Sequence, residues 1–289
     1  MSEQSSSAGT GPDTATPSVR FDNVALFVKH PTDLWPLMAG ALGGRYAGSG
    51  LGQGYGWTQL RFANGFVLGG IYPESSSPDT PPNALVEKFL EQSGVGPHHL
   101  SFLVPDLAEL LTRLRSAGLT PVSESYDDPQ WYEAFLRPSE GHGVVVQLAQ
   151  RGPNPPLPGD APEGFPELGF DHPVASLGRV VHAVRDLPDA LVLFRDLLGG
   201  RVLSTGSAVD GNHWVELGWG GPGRLRLLEG VHAEIAEWIG DRPGRTRHLF
   251  FSFDEPGYVP GAKKVASGRW VVDADDVLGT RLVIASSAR

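Results

Sequence analysis

Three polar side chains that could do acid–base chemistry or bind a ligand occur within apolar strand patterns. Asn23 lies in NVAL, Gln147 lies in VVVQLA, and His99 opens HLSF. A buried polar side chain costs free energy unless it has a hydrogen-bonding partner. Asn23 and Gln147 could therefore orient a neutral ligand such as a phenol or quinone, or bond to each other or to water. The imidazole of His99 could transfer a proton or hydrogen-bond a carbonyl, or it could satisfy a neighbouring strand.

Strand and helix signals alternate in the segment that must position these side chains, residues 20–150. A strand pattern at 21–28 precedes an apolar helical stripe that ends at Gly43 and Gly44. Two strands follow, joined by the Asn64-Gly65 turn signal, and then a short helix at 83–92. The order starts again at His99 with a strand, a helical stripe and three further strands. The segment predicts two successive βαβββ units.

The second segment, residues 178–289, repeats the first. The sequence LGGR at 42–45 recurs at 198–201, and Trp57 recurs as Trp214 at a nearly constant offset. Glu216 occupies the position in the second segment that corresponds to Gln59 in the first. Only the last quarter departs from the pattern, because DEPGYVPG contains two prolines and two glycines and prevents the expected helix. The chain is therefore expected to be an α+β protein with an internal repeat.

Composition bounds the domain organisation and the class of protein. Residues 1–19 are polar and aperiodic, which predicts a disordered tail, and residues 151–177 contain seven prolines, which predicts an extended linker. The net charge of −10 and the lack of a basic run exclude nucleic acid as a partner. The absence of cysteine excludes disulfides and thiolate chemistry. The sequence has no apolar run long enough to span a membrane, and its N-terminal residues do not have the pattern of a secretory signal peptide. We therefore expect a cytoplasmic protein without a membrane partner.

Four βαβββ units, paired into two domains, resemble the vicinal-oxygen-chelate (VOC) superfamily, which includes glyoxalase I, methylmalonyl-CoA epimerase, extradiol dioxygenases and bleomycin-resistance proteins. The most specific stretches are GPHHLSF at 96–102, similar to the epimerase-like HHIAF strand, and AVRDL at 183–187. The resemblance implies two tandem VOC domains, at 20–150 and 178–289, each forming a cup-shaped mixed sheet. The fold hosts many reactions, so the resemblance does not fix the activity.

In that superfamily a divalent metal lies in the cup, held by residues from the first and last strands of each unit. The resemblance places Asn23, Gly69, His99 and Gln147 at these positions in the first domain. Asn and Gln are weak neutral ligands and Gly has no side chain, whereas a facial triad needs two histidines and one carboxylate. We therefore expect no metal and no other cofactor, which argues against glyoxalase I and extradiol dioxygenase activity.

In the second domain the resemblance gives Arg179, Arg226, His248 and Val283. Two permanent cations would oppose a bound dication. Glu216 could pair with Arg226, because a lone buried charge is costly. The two arginines could bind a carboxylate or phosphate, or they could form a structural network of ion pairs in an inactive cup. The irregular fourth unit favours the structural network.

Aromatic side chains could line either cup. Trp57 and Trp214 could stack on a flat ligand, although core packing shared by both domains is the commoner explanation. Tyr132 could bind substrate at the entrance of the first cup. His98 should point away from His99, because adjacent strand residues face opposite ways.

These observations predict a VOC-type enzyme that acts on an aromatic or polyketide-like metabolite by metal-independent acid–base chemistry, as an isomerase, cyclase, lyase or hydrolase. His99 would be the acid or base, and Asn23 and Gln147 would polarise a carbonyl or enol. The alternative is a non-catalytic binding protein that sequesters a small molecule, and a third hypothesis is a metal-dependent enzyme of glyoxalase or dioxygenase type. In each case the partner is a small organic molecule, and the chain is expected to be a monomer or homodimer.

Overall fold

The computed structural model describes residues 18–287 apart from positions 53, 75–83, 155–158, 170, 208–210, 231 and 276–277. Within these residues the chain forms two mixed sheets of eight strands each. The predicted tail at 1–19 lies almost wholly outside the described residues, and the domain boundaries at 20–150, 151–177 and 178–289 stay predictions.

The first half contains one complete sheet and its helices. Its strands are β1 (Arg20–Phe27), β2 (Arg45–Leu51), β3 (Tyr55–Arg61), β4 (Val67–Pro73), β5 (Gly96–Leu103), β6 (Val122–Asp128), β7 (Trp131–Leu136) and β8 (Val145–Arg151). A 3₁₀ turn at Pro31–Leu34 continues as a π-helix at Trp35–Ala41, and two regular helices follow, α1 (Ala84–Ser93) and α2 (Leu107–Ser116).

The second half repeats this order. Its strands are β9 (Ser176–Val184), β10 (Arg201–Ser207), β11 (His213–Gly218), β12 (Arg224–Glu229), β13 (Gly244–Phe253), β14 (Lys263–Ala266), β15 (Arg269–Val272) and β16 (Arg281–Ser286). Helix α3 (Leu187–Leu191) continues as a π-helix at Val192–Leu197, and α4 (Ala233–Ile239) follows β12. Only a 3₁₀ turn at Pro256–Tyr258 lies between β13 and β14, as the two prolines and two glycines of this stretch predict.

The two sheets have the same topology. Their strand orders are β2-β3-β4-β1-β5-β8-β7-β6 and β10-β11-β12-β9-β13-β16-β15-β14. In each sheet the first strands of the two units pair antiparallel at the centre, and each unit's first and last strands pair parallel. This arrangement confirms the predicted α+β fold with two βαβββ modules in each curled sheet, the fourth module having a 3₁₀ turn in place of its helix.

One large hydrophobic core joins the faces of the two sheets that pack against α2 and α3. Phe102 on β5 stacks on Phe21 at 4.9 Å between ring centroids, and it meets Trp219 from the second half edge-on at 5.0 Å. Phe62 meets Phe251 across the same boundary at 5.1 Å. On the opposite, concave faces, α1 and α4 pack against only part of each sheet, and the rest of each concave face remains for a binding site.

Glycines allow the two halves to approach at two equivalent joints. A Cβ built on Gly143 would lie 1.8 Å from the carbonyl oxygen of Gly244, and one built on Gly279 would lie 1.9 Å from that of Val95. Both glycines have positive φ, 93° and 60°. Any side chain would therefore collide with backbone at these joints. No helix among the described residues is long and apolar enough to span a membrane.

Candidate functional site

Strand register brings the predicted polar residues together on the concave face of the first sheet. Asn23 lies opposite Ser101, and Ser101 lies opposite Gln147 in the parallel pair. His99 shares the face of Ser101, two residues away and diagonal to Asn23. We call this concave face, centred on Asn23, His99, Ser101 and Gln147, the first cup. Asn23 and His99 are only 4% and 5% exposed, and Ser101 is fully buried with no hydrogen-bonding partner for its hydroxyl among the described residues.

A carboxylate on β7 completes the first cup. Glu133 Oε2 accepts hydrogen bonds from Gln147 Nε2 at 2.8 Å and from Trp131 Nε1 at 2.9 Å. Among the described residues no hydrogen bond reaches Oε1, so this oxygen remains available to a ligand. The sequence gives one indication that Glu133 faces the cup: it alternates along β7 with the apolar residues Ala134 and Leu136, which are buried on the other face of the strand.

Tyr55 on β3 belongs to the same electrostatic environment. Burial, and then the charge of Glu133, raise the pKa of its phenol above the ordinary value. The hydroxyl therefore stays protonated at neutral pH and can donate a hydrogen bond.

A β-bulge places His98 and His99 on the same side of β5. Ala25 pairs with His99, but the next residue, Leu26, pairs with Pro97, so β5 has one extra residue at this point. The two Nδ1 atoms lie 3.0 Å apart, within hydrogen-bonding distance. The expectation that His98 points away from His99 is therefore wrong, because it assumed uninterrupted alternation.

Burial keeps this histidine pair neutral. It lowers the pKa of His98 to about 4, and burial together with His98 lowers the pKa of His99 well below its ordinary value. The rings of Phe27 and Phe89 pack edge-on against His98, with centroids at 4.8 and 4.7 Å. One neutral imidazole donates its Nδ1–H to the other. Such a pair is better suited to hydrogen bonding than to taking up a proton near pH 7.

Of the two aromatic residues predicted for the first cup, Trp57 lies on the concave face and Tyr132 does not. Trp57 is half-buried on the concave face and lies across Gly50 of β2, where an added Cβ would come within 2.8 Å of the indole. Tyr132 lies on the opposite face, packed against the shared core, with its ring 5.2 Å from that of Tyr126. The expectation that Tyr132 lines the first cup is therefore wrong, and strand alternation puts Trp131 there instead.

The donor set of the first cup does not fit a tightly held divalent metal. Gly69 supplies no ligand, and a Cβ built on it would already lie 3.2 Å from the Cβ of Ala25. Asn23 donates its amide N–H to Asp22 at 3.2 Å, so only its weak carbonyl oxygen faces the space beside Gly69. Within the described residues no three His, Asp or Glu side chains are grouped to hold a metal ion.

The same register holds in the second sheet. Arg179 takes the position of Asn23, Arg226 that of Gly69, and His248 that of His99, since Arg226 and His248 both pair with Val181. Val283 lies opposite Phe250 as Gln147 lies opposite Ser101, so the position assigned to Val283 by resemblance agrees with the register. We call this concave face the second cup.

Ion pairs and ring contacts fill the centre of the second cup. Glu216 Oε2 accepts from Arg179 at 2.6 Å and from Arg226 at 2.8 Å. Burial opposes the ionisation of Glu216, but the two guanidinium groups outweigh it and hold its pKa below the ordinary value. Arg226 stacks on Trp214 at 3.8 Å and Arg179 on Phe250 at 4.2 Å. The guanidinium group of Arg226 covers one face of the Trp214 ring, so a flat ligand cannot stack on that face.

Comparison with known proteins rests on structure. No protein-family model matches the sequence, and a search of curated proteins finds no match. A variant of 4-hydroxymandelate synthase from Streptomyces coelicolor matches 94% of this chain and 94% of its own, with a TM-score of 0.61 and 14% identity. A hypothetical protein from Staphylococcus aureus matches 93% of this chain and 99% of its own, with a TM-score of 0.53 and 9% identity. Methylmalonyl-CoA epimerase from Mycobacterium tuberculosis matches 49% of this chain and 95% of its own, with a TM-score of 0.40 and 22% identity.

Likeness at these identities establishes the fold and leaves the activity open. The 4-hydroxymandelate synthase match extends over nearly the whole chain and includes both sheets. Together with the repeated topology, it shows that this chain shares the fold of that protein, with two repeated eight-stranded sheets.

Proposed function

We propose that the first cup is the active site of a VOC-type enzyme that moves a proton on a small aromatic or polyketide-like carbonyl compound without a metal ion. The observation that carries this proposal is the carboxylate of Glu133, which faces the concave side. One of its oxygens is held by two neutral donors, and the other accepts no hydrogen bond from the residues that the structure describes. Trp57, Trp131 and Phe135 share this face and supply apolar walls for a flat, uncharged molecule.

Glu133 is the residue to which we assign the base. Its Oε1 would take a proton from the carbon next to the substrate carbonyl, and the electron pair of that C–H bond would form the C=C bond of an enolate as the carbonyl π pair moves onto oxygen. Gln147 and Trp131 fix the orientation of the carboxylate through Oε2. A developing oxyanion is stabilised by preorganised N–H and O–H donors. Tyr55, whose pKa is raised by burial and then by the charge of Glu133, is the donor that we assign to it.

We assign binding roles to His99 and Asn23. His99 is neutral and is tied through Nδ1 to His98, so it would hydrogen-bond the substrate and not carry the proton. The amide of Asn23 is committed to Asp22, and its oxygen borders the space left by Gly69, where it would accept from a substrate hydroxyl. This assignment moves the acid–base role that the sequence suggested for His99 to Glu133.

The test is hydrogen exchange in D₂O, followed by NMR on a panel of aromatic ketones and β-dicarbonyl compounds after the protein has been treated with EDTA. We expect deuterium to enter the acidic C–H position of at least one compound. Glu133→Gln should slow this exchange by about 10²-fold or more, because it removes the base while keeping the shape. Glu91→Gln, an exposed change on α1, is the matched control and should leave the rate unchanged.

Two outcomes would contradict the proposal. Binding of panel compounds without exchange at any protein concentration would favour the non-catalytic, sequestering protein. Exchange that is abolished by EDTA and restored by a divalent cation would show that a metal does the chemistry.

A further inference from the structure

The second cup concentrates positive charge in a chain whose net charge is −10. At its centre Arg179 and Arg226 share one oxygen of a single carboxylate, Glu216, so the three groups together carry a net positive charge. Arg269 lies close enough to lower the pKa of Arg226 further, after burial and Arg179. The side chains of Arg179 and Arg226 are 23% and 25% exposed, so a ligand can reach both.

A cavity of about 530 Å³ opens on the same face, between α4 and the strands β13 and β16. Arg245 lines it on the concave face, because the adjacent Thr246 bonds His182 on the opposite face of the sheet. Arg245 stacks over Trp238 at 4.0 Å, donates a hydrogen bond to the backbone carbonyl oxygen of Trp238 at 3.3 Å, and makes no ion pair among the described residues. The indole Nε1 of Trp238 is buried and has no hydrogen-bonding partner among the same residues. The cavity therefore offers one guanidinium without an ion pair among these residues, beside an unused N–H donor, and the exposed carboxylate of Glu237 also lines it.

His248 links the cavity to the centre of the cup. Burial lowers its pKa to about 3, and the charges of Arg247, Arg281, Arg179 and Arg226 act in the same direction. Arg247 and Arg281 line the cavity, whereas Arg179 and Arg226 lie at the centre. Arg247 and Arg281 are paired with Glu234 and Asp273, so among the described residues the guanidinium groups that share a carboxylate or lack an ion pair are those of Arg179, Arg226 and Arg245.

We propose that the second cup binds a small organic anion through its carboxylate or phosphate group. Guanidinium groups are the side chains that recognise both oxyanions, by paired N–H donors and by charge. The ion pairs with Glu216 do not argue against this role, because one carboxylate cannot neutralise two guanidinium groups. The site is separate from the first cup, which faces away on the other sheet, and does not depend on the reaction proposed there.

The test measures binding of inorganic phosphate and of malonate to the full chain by calorimetry, with ionic strength held constant by KCl. We expect one or both probes to bind and to raise the unfolding temperature, as a ligand that binds only the folded state must. Binding of phosphate alone identifies a phosphoryl ligand, binding of malonate alone identifies a carboxylate ligand, and binding of both supports the shared chemistry.

Variants separate an anion site from a purely structural network. Arg245→Gln and Arg226→Gln should each weaken binding by about tenfold or more. Arg201→Gln, which changes the net charge equally at an exposed position on β10, should not weaken it. Glu216→Gln should strengthen anion binding, because both central guanidinium groups then lack a counter-charge. Failure of both probes to bind the wild-type chain, or equal affinity in Arg245→Gln, Arg226→Gln and Arg201→Gln, would overturn the proposal.

Discussion

Acidification should weaken a contact that His182 makes between the two halves. His182 is fully buried on β9, where its Nδ1 lies 3.0 Å from Thr246 Oγ1 and its Nε2 lies 2.8 Å from the carbonyl oxygen of His142 in the first half. A carbonyl only accepts, so Nε2 carries the proton and Nδ1 accepts from the hydroxyl. The neutral imidazole therefore satisfies both of its bonds, and a second proton would disrupt this arrangement.

The size of the effect follows from the pKa. Burial lowers the pKa of His182 to about 4, against 6.5 for the free side chain. The unfolded chain therefore takes up a proton first as the pH falls. The stability present above about pH 6.5 is lost progressively down to about pH 4, and at about 1.4 kcal/mol for each pKa unit this amounts to roughly 3 kcal/mol.

Urea unfolding at a series of pH values measures this loss. His98 and His248 also have lowered pKa values and contribute in the same direction, so the wild-type curve alone does not isolate His182. His182→Gln keeps a donor for the carbonyl of His142 but cannot titrate. Between about pH 6 and about pH 4 its unfolding free energy should fall less steeply than that of the wild type, by about 1.4 kcal/mol per pH unit. Parallel curves for the two proteins would refute the reasoning.

Three further predictions concern stability. Gly279→Ala should destabilise the fold by several kcal/mol more than Gly118→Ala. Both glycines have positive φ, but only at Gly279 would the added Cβ lie 1.9 Å from a backbone oxygen. Equal melting temperatures of the two variants would contradict this prediction. Phe102→Ala should cost about 3–5 kcal/mol in chemical denaturation, because this ring contacts both halves, and a loss below about 1 kcal/mol would disprove the shared core. Zn²⁺, Mn²⁺ or Mg²⁺ added after EDTA treatment should leave the unfolding temperature unchanged, and a stoichiometric increase would show that the first cup holds a metal.

The sequence predicts the two-sheet repeat well and the candidate site in part. The resemblance groups Asn23, His99 and Gln147, and the strand register places them on one face. Alternation along a single strand predicts which face each residue takes. It fails at His98, where a bulge interrupts the alternation. It also gives no reason to choose Glu133, because a carboxylate on a half-exposed strand is indistinguishable from a solvated one until Gln147 and Trp131 are found beside it.

The amino-acid pattern alone therefore predicts which segments become strands and how the units repeat. These are properties of individual residues and of short periodic stretches, so they can be read along the chain. Only the tertiary structure decides which residues act together: Glu133 with Gln147, two arginines on one carboxylate, and the glycine joints between the halves. Each of these contacts joins segments that are distant in sequence, either on neighbouring strands or where two backbones meet. Which residues come into contact depends on the strand register, and the packing of the whole core sets that register.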